Sequence, residues 1–234
     1  NYPMSIFIVG LPRCGSTLVE SIISLNTKVK DLGEVNIFEE SYREYKQSEK
    51  RKSLSEIYWK KLKITDNKTI TTNKWLFNYQ YAGIIAKAIP NAKIIHCYRN
   101  PLDNILSTYR AHFATGNNFS SSLVDSAEVY SDQDEIMRTY KKEFKNHIYS
   151  LNYDKLVTHP SDEIKSLIHW LGWSWNDLYL SPHLNKRKVS TRSNVQVRSP
   201  INTKSLGGWK NYKEMLKPAM EIITKKEKYK DLQY

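Results

Sequence analysis

The sequence predicts an α/β protein in three layers: a mainly parallel central sheet with helices on both faces. Two observations carry that expectation. Apolar runs of strand length at 6–9, 69–72, 93–98 and 148–152 alternate with stretches of helical period at 16–24, 77–88, 101–113 and 125–146. Strands alternating with helices make βαβ units, and right-handed crossovers place the helices on both faces. The second observation is that polar motifs follow the runs at 6–9 and 93–98 directly. Those are the carboxyl ends of strands, where open α/β sheets hold their ligands.

Taken in order, Ile6 to Val9 run into Gly10, and Ser16 and Thr17 open the apolar helical run Leu18 to Ile23. Residues 36–63 are charged and aromatic and fit one or two helices over the sheet. After the strand at 93–98, Pro101 is well placed to start a helix. Thr115 to Leu123 reads as a surface loop before a long helix, and Pro160 and Ser161 open a short helix that Gly172 stops. Residues 181–208 are basic and lack periodicity, which in a stretch that long points to function or disorder. No internal repeat and no low-complexity segment is found.

A chain of 234 residues suits one domain able to bury a core without staples. Its apolar runs are too short to span a bilayer. The sequence begins directly on a strand without an N-terminal signal pattern, which suggests a piece of a longer chain. The two cysteines, Cys14 and Cys97, make no disulfide framework and read as reduced thiols of an intracellular, cytoplasmic protein. No Cys/His spacing suggests zinc, so no metal is expected. The formal net charge of +12 gathers at 141–145, 186–198, 204–217 and 225–230, which reads mostly as solvated surface and a basic tail. Charge alone admits nucleic acid as a partner, but no helix-turn-helix, RNP or zinc-finger pattern supports it.

Two motifs carry chemistry. Gly10-Leu-Pro-Arg-Cys-Gly-Ser-Thr17 sits between a strand and a helix. Gly10 and Gly15 let successive N–H groups converge on an anion, the helix start adds its positive end, and Arg13, Ser16 and Thr17 add donors. The frame is P-loop-like, yet Ser16 stands where the lysine of G-x-x-x-x-G-K-[ST] belongs, and no later Asp is placed for magnesium. A phosphorylated cofactor other than ATP fits better than a kinase or NTPase reading. In the second motif Arg99 ends a strand and Ser107 lies less than two turns into the next helix. Both can point into one cleft and bind a phosphate.

Together the motifs resemble those of sulfotransferases, which use 3′-phosphoadenosine 5′-phosphosulfate (PAPS). Gly-Leu-Pro-Arg-Cys-Gly-Ser-Thr-Leu resembles their 5′-phosphosulfate loop, and Arg99-Asn-Pro-Leu-Asp-Asn-Ile-Leu-Ser107 their 3′-phosphate motif. Asn152-Tyr-Asp-Lys-Leu-Val157 followed by Pro160 resembles the family's tyrosine-bearing turn, and Thr191 to Trp209 resembles a C-terminal cofactor loop. That loop occurs in protein-tyrosine sulfotransferases and in bacterial sulfotransferases with upstream tetratricopeptide repeats; the latter match better, and such repeats would precede residue 1. The resemblance implies that Pro12, Arg13, Cys14, Gly15, Ser16 and Thr17 hold the 5′-phosphosulfate. It further implies that Arg99 and Ser107 hold the 3′-phosphate, with Tyr153 nearby and Arg198 as a further contact. Gly33-Glu34 resembles the pair whose carboxylate is the general base, and Asn73-Lys74 the pair whose lysine contacts the sulfuryl group; Ser193 matches a second polar contact. Gly208 departs from the family, which commonly has a basic residue there, and Cys14 departs from the usual serine.

The residues by themselves leave Glu34 as a loop carboxylate and Lys74 as an exposed lysine after a strand. His96 and His112 are rival bases: His96 sits in an apolar strand and reads as a packed core histidine, and His112 lies late in its helix. A non-catalytic basic docking module on the same fold is the remaining alternative. The acceptor, whether a peptide tyrosine, sugar, lipid or metabolite, is not readable.

Overall fold

The computed structural model describes residues 3–48, 52–64, 68–111, 113, 116–185 and 198–233. Strands β1 (Ser5–Gly10), β2 (Val29–Asp31), β3 (Ile70–Asn73), β4 (Ala92–Tyr98) and β5 (Ile148–Asn152) form one sheet. Its order is β2-β3-β1-β4-β5, and every neighbouring pair is parallel. The central strand β1 is buried along its whole length. A parallel strand covered on both faces has no polar side, which is why Ile6 to Val9 is a continuous apolar run rather than an alternating one.

The two faces separate by the parity of β1. Phe7 and Val9 pack with α2 (Ile37–Gln47), α3 (Leu54–Leu62), α4 (Ala82–Ala88), α5 (Pro101–Tyr109), α6 (Leu123–Glu143) and the C-terminal helix Lys213–Ile223. Ile6 and Ile8 pack with α1 (Ser16–Ile23), α7 (Tyr153–Thr158) and α8 (Pro160–Trp170). Helices α1 and α5 therefore leave the adjacent strands β1 and β4 toward opposite faces. The crevice between their N-termini is the switch point at which such sheets bind ligands.

Local chemistry explains the starts of the helices. Ser53 and Glu56 make a reciprocal capping box for α3. Asn100 accepts from the N–H groups of Leu102 and Asp103 at the start of α5, where Pro101 occupies the first turn.

The observed elements depart from the sequence expectations at four places. The edge strand β2 had no signal, because three residues with one apolar side chain carry no period. The stretch read as a helix at 77–88 begins as a 3₁₀ turn, Leu76–Tyr81, and becomes α-helical only from Ala82. Residues 213–223 form a helix that the sequence reading does not include, burying Leu216, Ala219 and Ile223. The lysines there, Lys213 and Lys217, are exposed as expected, but between them and beyond runs an apolar stripe at helical spacing that the reading of 204–217 as basic surface leaves out. The helix after Pro101 also ends early, at Tyr109. No helix among the described residues is long and apolar enough to cross a membrane.

Candidate active site

The loop after β1 is shaped by what lies behind it. Gly10 has φ +153°, and a Cβ there would stand 2.4 Å from the Cys97 carbonyl oxygen, its register partner on β4. Backbone cannot yield as a side chain does, so only glycine fits. Gly15, the residue before α1, has φ +95°, and a Cβ would meet the Tyr153 ring at 2.2 Å. Between them Arg13 takes a left-handed backbone at φ 69°. Such a conformation costs a non-glycine residue roughly 1–2 kcal/mol, and contacts from α5 hold it. The Pro12 carbonyl accepts from Asn104 Nδ2 (3.0 Å) and Thr108 Oγ1 (3.3 Å), and Arg13 Nε donates to Ser107 Oγ (3.0 Å).

Arg99, at the end of β4, joins the two motifs. Its Nη1 donates to the Arg13 carbonyl (3.4 Å) and its Nη2 to the Ser205 carbonyl (2.5 Å). Its guanidinium lies 4.9 Å over the Tyr153 ring. The same ring that presses on Gly15 thus carries the arginine of the other motif, and its hydroxyl pairs with Ser205 Oγ at 2.8 Å. Arg99 is 7% exposed, and its Nε is buried with no hydrogen-bond partner. A buried unpartnered guanidinium N–H is costly unless an anion completes it.

Arg13, Arg99, Ser107, Thr17, Gly15 and Tyr153 line one cavity of about 750 Å³. The two motifs the sequence singled out therefore meet. The cavity also includes Arg110, Lys204, Ser205 and Asp103, none of them singled out individually from the sequence, although the last three lie within its quoted motifs. Arg110 caps the C-terminal end of α5, three residues after Ser107, and that spacing was a usable signal. Lys204 and Ser205 fall in the Thr191–Trp209 stretch that resembles a cofactor loop, but nothing local says which residues of that aperiodic segment reach the cavity.

The remaining predicted residues among those described, Pro12, Cys14, Ser16, Glu34, Lys74 and Arg198, are not in the lining of this cavity. Cys14 is buried beside Cys97. Its thiol is held below the ordinary value first by a hydrogen bond with Cys97, with Ser16 and the Lys74 charge adding to it against burial. Ser16 thus serves the loop from inside. Arg198 donates to the Asn185 carbonyl (2.7 Å) and is not among the residues lining the cavity. Ser193 and His112 lie outside the described residues.

Lys74 departs most from its local reading: it is 1% exposed, not an exposed lysine. Its N–H donates to the Gly33 carbonyl (2.8 Å), while Asn73 Nδ2 donates to the Val35 carbonyl (3.1 Å). These bonds stitch the end of β3 to the turn after β2 and bring Lys74 Nζ to 2.6 Å from Glu34 Oε1. The Glu34 side chain remains 48% exposed. A buried ammonium and an accessible carboxylate are thus fixed as a pair near the anion loop. His96, by contrast, is fully buried against Gln133. Burial first, then the charges of Lys141 and Lys228, push it well below the usual histidine range, as befits a packed core residue rather than a base.

Residues 3–177 match the sequence model described as the Sulfotransferase family. The chain belongs to the sulfotransferase family. An uncharacterised protein of Aquifex aeolicus is 30% identical over 93% of this sulfotransferase chain, which spans 32% of that protein. Protein-tyrosine sulfotransferase 1 of Danio rerio is 24% identical over 87% of the chain, which spans 65% of that protein. Among solved structures, the sulfotransferase domain of the Synechococcus PCC 7002 olefin synthase superposes with a TM-score of 0.65 at 13% identity, covering 90% of this chain and 88% of that one. Mouse sulfotransferase SULT7A1, complexed with PAP, superposes with a TM-score of 0.61 at 17% identity, covering 99% of this chain and 88% of that one. At these identities the superpositions speak for the fold.

Proposed function

We propose that this chain transfers a sulfuryl group from PAPS to a hydroxyl or amine acceptor, leaving 3′,5′-adenosine bisphosphate. The observation that carries the reading is the shared cavity of Arg13 and Arg99, with the buried Arg99 Nε unpartnered. Two arginine side chains, with Ser107, brought into one cavity suit a ligand that carries more than one anionic group. The family and the PAP-bound mouse structure agree with that ligand.

When bound, PAPS supplies the activated sulfuryl group; the protein's work is positioning and charge neutralisation. The N–H groups of the loop after β1, with Arg13, Thr17 and Ser16, hold the 5′ end. Arg99 and Ser107 hold the 3′-phosphate, with Tyr153 as the plate on which Arg99 rests. Cys14 contributes a small buried side chain that lets the loop close on β4. Lys74, already buried and charged, neutralises the oxygen that leaves. Glu34, half exposed beside it, takes the acceptor's proton. Ser193 makes a polar contact at the reacting centre, and Arg198 reaches the cofactor by giving up its bond to the Asn185 carbonyl. The buried thiols fit a reducing compartment, and the cytoplasm is the proposed location.

The test pairs binding with transfer. In a thermal-shift titration, 3′,5′-adenosine bisphosphate is expected to stabilise the chain and ATP with magnesium to do so less. Stabilisation by ATP alone would overturn the reading. Labelled sulfate should then move from PAPS to a member of an acceptor panel of tyrosine peptides, sugars, lipids and small phenols. Lys74→Ala should slow that transfer roughly 10²–10³-fold; unchanged turnover would remove Lys74 from the chemistry, and no transfer to any acceptor would leave a docking module on this fold.

A further inference from the structure

Asp103 lies in the first turn of α5, within the second anion motif but with no role assigned to it. Its carboxylate is free of the usual first-turn duty, because Asn100 Oδ1 already accepts from the N–H groups of Leu102 and Asp103. The carboxylate instead reaches more than a hundred positions along the chain. Oδ2 accepts from the Gly207 N–H at 2.7 Å, and Oδ1 from the Trp209 N–H at 3.0 Å. Oδ2 also stands 3.9 Å from Arg99 Nη2. Asp103 is 5% exposed, so these charge-assisted bonds form away from water, where they are strongest.

The segment so held, 205–209, is a wall of the cavity. Lys204, Ser205 and Gly208 line it, the Ser205 carbonyl takes Arg99 Nη2, and Ser205 Oγ takes the Tyr153 hydroxyl. Trp209 then anchors the segment in the core. We propose that Asp103 is a positioning residue: its carboxylate clamps 205–209 against the 3′-phosphate motif and so fixes both the cavity wall and the orientation of Arg99. Two of Arg99's donors are spent on backbone carbonyls, one of them in the clamped segment, and Nε alone is left buried without a partner. Without the clamp the Ser205 carbonyl is lost, and with it one of the two backbone acceptors that orient the guanidinium. Gly208 fits beside the clamp: a Cβ there would lie 3.7 Å from Asp103 Oδ1, an ordinary contact, and the segment offers its N–H groups rather than a basic side chain.

This inference rests on the cavity being the nucleotide site, and its test separates the two. Asp103→Asn keeps the shape but sets an amide donor against a backbone N–H. It is expected to weaken 3′,5′-adenosine bisphosphate about 10–100-fold by calorimetric titration. The KM for PAPS should rise in parallel, while the active fraction counted by titration stays whole. A merely structural residue would lower the active fraction and leave affinity alone. Asp103→Glu, which keeps the charge but moves the carboxylate by a methylene, should weaken binding several-fold. Wild-type affinity in either variant overturns the clamp. On the unmodified protein, the Gly207 and Trp209 amides should exchange slowly with solvent even without nucleotide; fast exchange at both overturns the clamp with no substitution needed. If the wild-type chain itself does not bind the bisphosphate, the nucleotide reading falls and takes the inference with it. Equal binding by wild type and variants sinks the inference alone.

Discussion

The turns that follow β1 and β4 contribute arginines to the same cavity, yet they are built from different materials. The β1 side is backbone: two glycines, a left-handed arginine and N–H groups at the head of α1. Its glycines exist because other parts of the molecule press on them, the Cys97 carbonyl on one and the Tyr153 ring on the other. The β4 side is made of side chains: Arg99 and Ser107, with Asp103 behind them. A backbone site fails all at once when a Cβ intrudes, whereas a side-chain site can be weakened contact by contact. That difference orders the expected effects of substitution.

The largest is Gly15→Ala. A left-handed φ costs roughly 1–2 kcal/mol, and overpacking the Tyr153 ring about 1–3 kcal/mol more. Tm in a differential scan should fall by about 10 °C, and bisphosphate binding should vanish from a calorimetric titration. Normal binding would mean that Tyr153 can swing off the loop, and the backbone half would be softer than described. Next comes Ser107→Ala on the other half. It removes the Arg13 Nε partner while the loop keeps its Pro12 tethers to Asn104 and Thr108. Affinity should drop about fivefold with Tm unchanged, the worth of one hydrogen bond of about 1 kcal/mol. A loss as large as that of Gly15→Ala would erase the distinction between the halves.

The smallest effect concerns β4, which supports both. His96 is buried neutral, with its folded pKa well below the unfolded value of about 6.5. The unfolded chain therefore binds more protons on acidification. This residue's contribution to stability is complete above pH ~6.5 and is lost as pH falls below it, by at most about 1.4 kcal/mol per pH unit. Denaturant midpoints followed from pH 7.5 down to 5 should show this slope, and His96→Gln should flatten it. Identical slopes in the two proteins would remove His96 from the account.

The β1 loop was legible in the sequence because its whole mechanism fits in adjacent residues: strand, glycines, helix start. The Arg99 and Ser107 pair was legible for a similar reason, since one strand end and one helix start fix both. Lys74 was not. Nothing within several residues of it says that it is buried, because the burial comes from bonds to Gly33 and Val35 in another strand's turn. Nor did any local sign connect Asp103 to Gly207 and Trp209, or reveal the helix at 213–223 beneath its lysines.

By itself the sequence determined the alternation of four of the five strands with the helices between them and the two places where anions can be held, because φ preferences, capping and apolar period act over a few residues. Only the tertiary structure decided that the two places are one cavity, that a lysine is sunk beside a carboxylate, and that the 205–209 segment closes the wall. Those outcomes rest on hydrogen bonds and ring contacts between groups as far as 106 positions apart, and such contacts exist only once the sheet has set β1 beside β4.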